Sequence, residues 1–255
     1  MTRTDKPHLR DLAAALGLLS RLPLRIDTAH ATARGARAAW AWPVAGAVIG
    51  ALAGLVGATA LGLGLPVGVA AGLALALGPV VTGCMHEDGL ADAADGLWGG
   101  WERERRLAIM KDSSIGTYGV VALVLSLGLR WSALTALFAA GHTVLVLVGV
   151  AALSRLPMVL IAAVLPNARA AGLSASVGRP GQATALFAIL ATLAIALPAL
   201  GLAALPAFAT VGATALAAGA IARAKIGGQT GDILGATQQL CEIAALATLA
   251  AVLTP

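Results

Sequence analysis

Apolar residues in this chain run in blocks. No Asp, Glu, Lys or Arg interrupts Ala38 to His86, Trp131 to Ser154, or Pro180 to Ala222. A helix crossing the hydrocarbon layer needs about 20 apolar residues, so the first and third blocks each have room for a hairpin of two crossings. The blocks and their breakers predict spans over 40–63, 67–85, 115–130, 132–153, 183–204, 206–222 and 233–253. Leu156 to Leu165 is apolar but short and bounded by Pro157 and Pro166, which predicts a kinked extension or a re-entrant piece. Within 8–22, Leu9, Leu12, Leu16 and Leu19 share one stripe ended by Pro23, a pattern too short to span that suits a helix lying on the membrane. The fold class expected is all-α: a polytopic transmembrane bundle of about seven spans plus an N-terminal interfacial helix, forming one domain over 1–255.

Composition sharpens this picture. Of 255 residues 59% are hydrophobic and only 11% charged, with mean hydropathy +0.89; soluble domains carry about 25% charge. Abundant glycine and alanine suit close helix packing in lipid, and also a codon bias toward those residues. The net charge of +5 does not point to nucleic acid, because the cations are dispersed at the edges of apolar blocks. With the N-terminus inside, 1–37, 86–112, 154–182 and 223–232 all fall inside and hold every Lys and Arg except Arg130, as the positive-inside rule requires. Cys84 and Cys241 make no disulfide framework and read as small buried hydrophobes; a Cys84/His86 zinc site would lack its second ligand pair. Arg3, Lys6 and Arg10 before Leu12–Leu19 look like the start of a leader, but Arg21, Pro23, Arg25 and Asp27 follow with no well-placed cleavage site, so no cleavable signal peptide is expected.

The chemistry concentrates in one segment. Seven of the twelve acidic residues lie between Glu87 and Asp112. Asp88, Asp92 and Asp95 are spaced i, i+4, i+7, which at about 100° per residue puts them on one helix face, with Glu87 to the side. Such a run can simply mark a solvated face. Here three like charges sit next to lipid with no cation among them until Arg103, and oxygen ligands without Cys favour Mg²⁺ or Mn²⁺. Basic residues follow: Arg103, Arg105, Arg106 and Lys111. They serve as phosphate contacts or as membrane anchors. Carboxylates for metal beside cations for phosphate is what phosphoryl transfer needs. Later, Lys225 to Asp232 supplies Gly228, Thr230 and Gly231 ahead of the last helix, where backbone N–H groups can receive a phosphate. Asp232 is either a fourth metal ligand or an acid favoured by the helix dipole. Glu242, inside the last span, is functional or paired with an Arg. His86 is a candidate general base or an ordinary polar residue.

The stretch His86-Glu-Asp-Gly-Leu-Ala-Asp92-Ala-Ala-Asp95-Gly-Leu-Trp-Gly-Gly100, followed by Arg106-Leu-Ala-Ile-Met-Lys-Asp112-Ser-Ser-Ile-Gly116-Thr-Tyr-Gly119, closely resembles the cobalamin synthase family, the adenosylcobinamide-GDP ribazoletransferases. Gly228-Gln-Thr-Gly-Asp232-Ile-Leu-Gly-Ala236 matches that family's second signature, and Trp42-Pro-Val-Ala-Gly46 with Gly50 an early one; Ser114 stands where the family is associated with a basic residue. The resemblance spans nearly the whole chain. It implies a Mg²⁺-dependent enzyme of the bacterial cytoplasmic (inner) membrane, with its active site facing the cytoplasm. Its substrates would be adenosylcobinamide-GDP and α-ribazole or α-ribazole 5′-phosphate, with GMP released, and its partners the lipid bilayer and a second copy or pathway enzymes. Asp92-Ala-Ala-Asp95-Gly96 also matches the opening of the CDP-alcohol phosphotransferase motif, but the rest of that motif is absent. A cation transporter using Asp88, Asp92 and Asp95 is the third reading; it would place acids inside spans rather than between them. The expected site is therefore His86, Glu87, Lys111 and Asp112 for catalysis, Arg103, Arg106, Lys225, Gly228, Thr230 and Gly231 for phosphate, and Asp88, Asp92, Asp95 and Asp232 for Mg²⁺.

Overall fold

The computed structural model describes residues 6–254; Arg3, part of the leader reading, lies outside them. Within that range the chain is a helix bundle with no strand. Five stretches are long and apolar enough to cross a membrane: Thr28–Gly62, Thr117–Ala139, Val144–Val164, Gln182–Ile226 and Gly231–Leu253. Val67–Thr82 with Met85–Gly99 makes a sixth if that bent pair is counted. The expected seven is not reached by this measure. One reason is that Val67–Thr82 is about 24 Å long by helix rise, short of a hydrocarbon core of about 30 Å. The other is that Gln182–Ile226 forms one helical stretch, although it reverses at Gly201, where φ is +57°. Leu200 packs at Gly149 near the start of Val144–Val164, while the flanking Arg179 and Gln229 bond to the Ala163 and Pro166 carbonyls at its far end.

In chain order the helices are α1 (Arg10–Leu19), α2 (Thr28–Arg34), α3 (Trp42–Gly62), α4 (Val67–Thr82), α5 (Met85–Gly99), α6 (Arg103–Ile109), α7 (Thr117–Ala139), α8 (Val144–Val164), α9 (Leu173–Val177), α10 (Gln182–Leu200), α11 (Ala204–Ile226) and α12 (Gly231–Leu253). A 3-10 segment, Gly35–Ala41, joins α2 to α3. α8 is the buried centre, packed by α3, α10 and α12. The early glycine signature makes that packing possible. A methyl group on Gly46 would lie 2.3 Å from the Ala151 carbonyl oxygen, and one on Gly50 2.2 Å from that of Leu147. Backbone meets backbone there, as small residues allow in lipid. Outward positions stay apolar: Val124 is 64% exposed and Leu216 77%.

Several expectations need correction. The break placed at Arg130–Trp131 does not exist; α7 runs through it to Ala139, and the turn falls at 140–143. Arg130, expected at the end of a span, is instead buried within α7 and paired with two acids. Leu156–Leu165 is no re-entrant piece, since α8 continues through Pro157 to Val164. The N-terminal helix α1 is shorter than 8–22 and docks inward. Its Asp11 is fully buried against Arg34 (2.7 Å), with Trp40 donating to the same oxygen at 2.8 Å. Cys241 is buried as expected, but Cys84 is exposed.

The segment 86–112, expected as a polar connection between spans, is largely helical. α4 and α5 meet at 87°. Gly83 (φ +67°) and Cys84 (φ +60°) are both left-handed there, so the chain turns without a loop. For Cys84 that conformation costs about 1–3 kcal/mol. Arg21 covers the corner, its backbone N–H donating to the Val81 carbonyl at 2.7 Å. α4 points along the bundle and α5 turns across its end, so α5 presents its acids at that end.

Candidate active site

α5 lies across the first turns of α12. Glycines set the distance: a methyl on Gly89 would lie 3.0 Å from the Asp232 carbonyl oxygen, and one on Gly235 3.3 Å from the His86 Cα. The two signature segments, 137 residues apart at Asp95 and Asp232, are thus in contact. A second crossing fixes the loops. Asn167 and Gln229 form a parallel bridge, in which the Gln229 N–H donates to the Pro166 carbonyl and the Ala168 N–H to the Gln229 carbonyl. The buried Gln229 side chain bonds to Asn167 and accepts from Ser174 at 2.8 Å. Gly228 must be glycine, because a methyl there would lie 2.2 Å from the Pro166 carbonyl oxygen.

These crossings frame a pocket of about 240 Å³ lined by His86, Asp88, Asn167, Arg169, Ser174, Thr230, Gly231 and Asp232, with Leu18, Leu19 and Trp42 on its apolar side. Arg169 donates to Asp232 at 2.8 Å. Thr230 caps α12 by accepting from the Ile233 N–H, and its hydroxyl donates to Asp232 at 3.2 Å. Gly231, the first residue of α12, has open space beside its Cα. A helix N-terminus with a nearby guanidinium is suited to an anion.

Asp88, Asp92 and Asp232 supply the opposing charge. Asp92 is pushed up to about 7 by burial and then by the charges of Asp88 and Asp232, with Arg169 pulling the other way. All three carboxylates are hard oxygen donors. Among the described residues, no three His, Cys, Asp or Glu side chains converge closely enough to hold an ion alone. A cation held here would need its remaining oxygens from a bound phosphate and water.

Asp95 is not part of this set. It is buried, and its two oxygens accept from the Gly116 and Gly119 N–H groups at 2.7 and 3.0 Å. It caps α7, and the two glycines let it approach. Asp95→Ala should lower stability by about 1–3 kcal/mol, because buried N–H groups lose their partner. Thermal unfolding in a fixed detergent measures this.

The expected phosphate cations are also committed elsewhere. Arg103 donates to the Ile226 and Ala168 carbonyls, both at 2.9 Å. Arg106 donates to those of Gly100 and Lys225, both at 2.9 Å. Lys225 donates to the Leu97 carbonyl at 2.8 Å and sits 3.4 Å above the Trp98 ring centre. Together they tie α5 and α6 to the end of α11, and none lines the pocket. Nor do Lys111 and Asp112, which are exposed. Asp112 accepts from the Ser114 N–H at 3.0 Å, a bond that lowers its pKa.

Glu87 faces away from the pocket into a buried polar network. It accepts from Gln239 at 3.1 Å and pairs with Arg130 at 3.5 Å. Arg130 also meets Glu242 at 3.3 Å, and Arg155 meets Glu242 at 3.6 Å. Gln238 and Ser154 complete the network. Glu242 thus proves to be an arginine partner. His86 is buried between this network's small cavity and the pocket, lining both, and its Nε2 has no hydrogen-bond partner.

The sequence reading missed Arg169, Asn167 and Ser174 as site residues. Their only signal was the polar character of 167–182 between apolar blocks.

A family model described as cobalamin-5-phosphate synthase matches residues 11–250. Proteins named adenosylcobinamide-GDP ribazoletransferase are similar over nearly full length. That of Azorhizobium caulinodans is 48% identical over 93% of this chain and 94% of its own. That of Allorhizobium ampelinum is 46% identical over 94% and 96%, and that of Bradyrhizobium diazoefficiens 44% over 98% and 96%. No solved structure matches the chain. With a family match over 11–250 and both signature segments meeting at one pocket, the chain belongs to the cobalamin-5-phosphate synthase family.

Proposed function

We propose that this chain joins α-ribazole, or its 5′-phosphate, to adenosylcobinamide-GDP and releases GMP. The acceptor hydroxyl oxygen bonds to the phosphorus attached to the cobinamide. The bond from that phosphorus to the bridging oxygen breaks, GMP leaves with the electron pair, and the hydroxyl proton is released. The observation that carries this reading is the pocket in which Arg169 and the α12 N-terminus face Asp88 and Asp232. Arg169 and the first N–H groups of α12 hold the donor's diphosphate, and Asp232 orients Arg169. Asp88, Asp92 and Asp232 would hold Mg²⁺, which offsets charge on the diphosphate and the leaving GMP. We assign the acceptor's proton to His86, which lines the pocket and whose Nε2 bonds to nothing else. The corrinoid is far larger than the pocket and rests outside it.

Incubating purified protein with both substrates and Mg²⁺ should yield GMP and cobalamin, or its 5′-phosphate, in equal amounts. GMP released equally fast without the acceptor would make the protein a hydrolase.

The membrane is the bacterial cytoplasmic membrane and the pocket faces the cytoplasm. The clustering of cations around the pocket end supports that orientation. Reporter fusions after Arg106 and after Lys225 should both read cytoplasmic. A periplasmic signal from either would contradict a shared site.

The pKa of Asp92 gives a metal test that needs no turnover. Its folded-state value of about 7 lies above the unfolded value of about 3.9, so the folded protein holds the extra proton between them. In chelator, stability should therefore fall as pH rises from about 4 to about 7. Asp92→Asn should flatten that slope. Mg²⁺ should raise the melting temperature most at the upper end, where Asp92 is ionised. A Mg²⁺ effect independent of both pH and Asp92 would contradict the assignment.

A further inference from the structure

α8 and α11 diverge on the outer face of the bundle. They leave a groove of about 550 Å³ lined by Pro157, Leu160, Phe208, Gly212, Leu216 and further apolar side chains, with Arg223 as its only charged residue. Space of this size within the hydrocarbon layer does not stay empty, because its walls would forfeit their dispersion contacts. Arg223 is exposed, and among the described residues it makes no side-chain hydrogen bond or ion pair. Arg179, bonded to the Ala163 and Val164 carbonyls at the same end of α8, adds a second positive charge near that rim. A long apolar slot closing on an uncompensated guanidinium at the pocket end of the bundle has the complementarity of a lipid with an acidic head.

We propose that the α8–α11 groove binds an anionic phospholipid, with an acyl chain along Leu160, Phe208 and Leu216 and the head-group phosphate on Arg223. A second copy of the chain is the other occupant to consider. The groove offers a partner helix no polar side chain except Arg223 to fix its register, whereas a phosphate uses that one residue fully.

The test is native mass spectrometry of the full chain released from nanodiscs holding equal phosphatidylglycerol and phosphatidylcholine. Wild type should retain phosphatidylglycerol with roughly fivefold preference, the scale of one arginine acting on an anionic surface. Arg223→Gln should reduce the preference to about one while lipid is still bound. Gly212→Leu adds an apolar side chain where a methyl at Gly212 meets nothing within 4 Å; by occupying the groove it should lower retention of both lipids. Equal retention by wild type, or an undiminished preference in Arg223→Gln, would overturn the proposal. A lipid-free dimer that Gly212→Leu dissociates would also overturn it and give the groove to a second copy.

Discussion

Asp232→Asn and Asp92→Asn should each lower turnover by about a hundredfold or more while the protein still folds. That is the usual scale for removing a charge that stabilises a transition state. The two residues come from different helices, and of the two only Asp232 lines the pocket itself. Asp92 belongs to α5 and Asp232 to the first turn of α12, with Gly89 and Gly235 allowing the helices to touch. Asparagine keeps the size and some of the hydrogen bonding, and it removes repulsion from Asp88. Stability should therefore hold or rise as activity falls. Asp232→Asn carries a second consequence: Arg169 loses its ionic partner at 2.8 Å, so the donor KM should change along with kcat. Near-wild-type turnover in both variants would remove these carboxylates from the chemistry. Loss of folding in both would return them to a structural role.

The second large effect lies in the buried network. Arg130→Met should destabilise the protein by about 3–5 kcal/mol, the usual penalty for removing one member of a buried ion pair and leaving the other uncompensated. Arg130 is 2% exposed and meets both Glu87 and Glu242. Its loss leaves buried Glu87 and half-buried Glu242 facing one remaining cation, Arg155. The double variant Arg130→Met/Glu242→Gln removes one charge of each sign and should recover part of that loss. Unfolding in graded denaturant would show the double variant more stable than the sum of the singles. Simple additivity would mean that the four helices joined here, α5, α7, α8 and α12, are held by packing alone. Since Glu87 precedes Asp88, the network also fixes the rotation of α5 that turns Asp88 toward the pocket.

Much of this was legible in the chain. Unbroken apolar blocks are a direct consequence of a lipid solvent, and the i, i+4, i+7 spacing of Asp88, Asp92 and Asp95 does place them on related faces of one helix. Spacing could not show what each face would meet. Asp95 meets the N-terminus of α7, and Glu87 meets an arginine 43 residues later. Both are facts of helix packing rather than of sequence period. The cations misled for a similar reason. Arg103, Arg106 and Lys225 look like phosphate ligands, yet the carbonyl ends of neighbouring segments needed donors, and these side chains supply them. Arg169 was hidden because its partner Asp232 is 63 residues away. Arg130 was placed at a span end because its compensating acids lie on other helices, out of sight of the local pattern. The bend at Gly83–Cys84 was invisible because only the glycine advertises a left-handed residue.

The most direct measurement is a structure of the protein with adenosylcobinamide-GDP and Mg²⁺ bound, under conditions that block turnover. The account predicts diphosphate density within hydrogen-bond reach of the Arg169 guanidinium and the N–H groups at the start of α12, with a cation between that density and Asp88, Asp92 and Asp232. Diphosphate lying instead against Arg103, Arg106 and Lys225, with those residues released from their carbonyl partners, would contradict it.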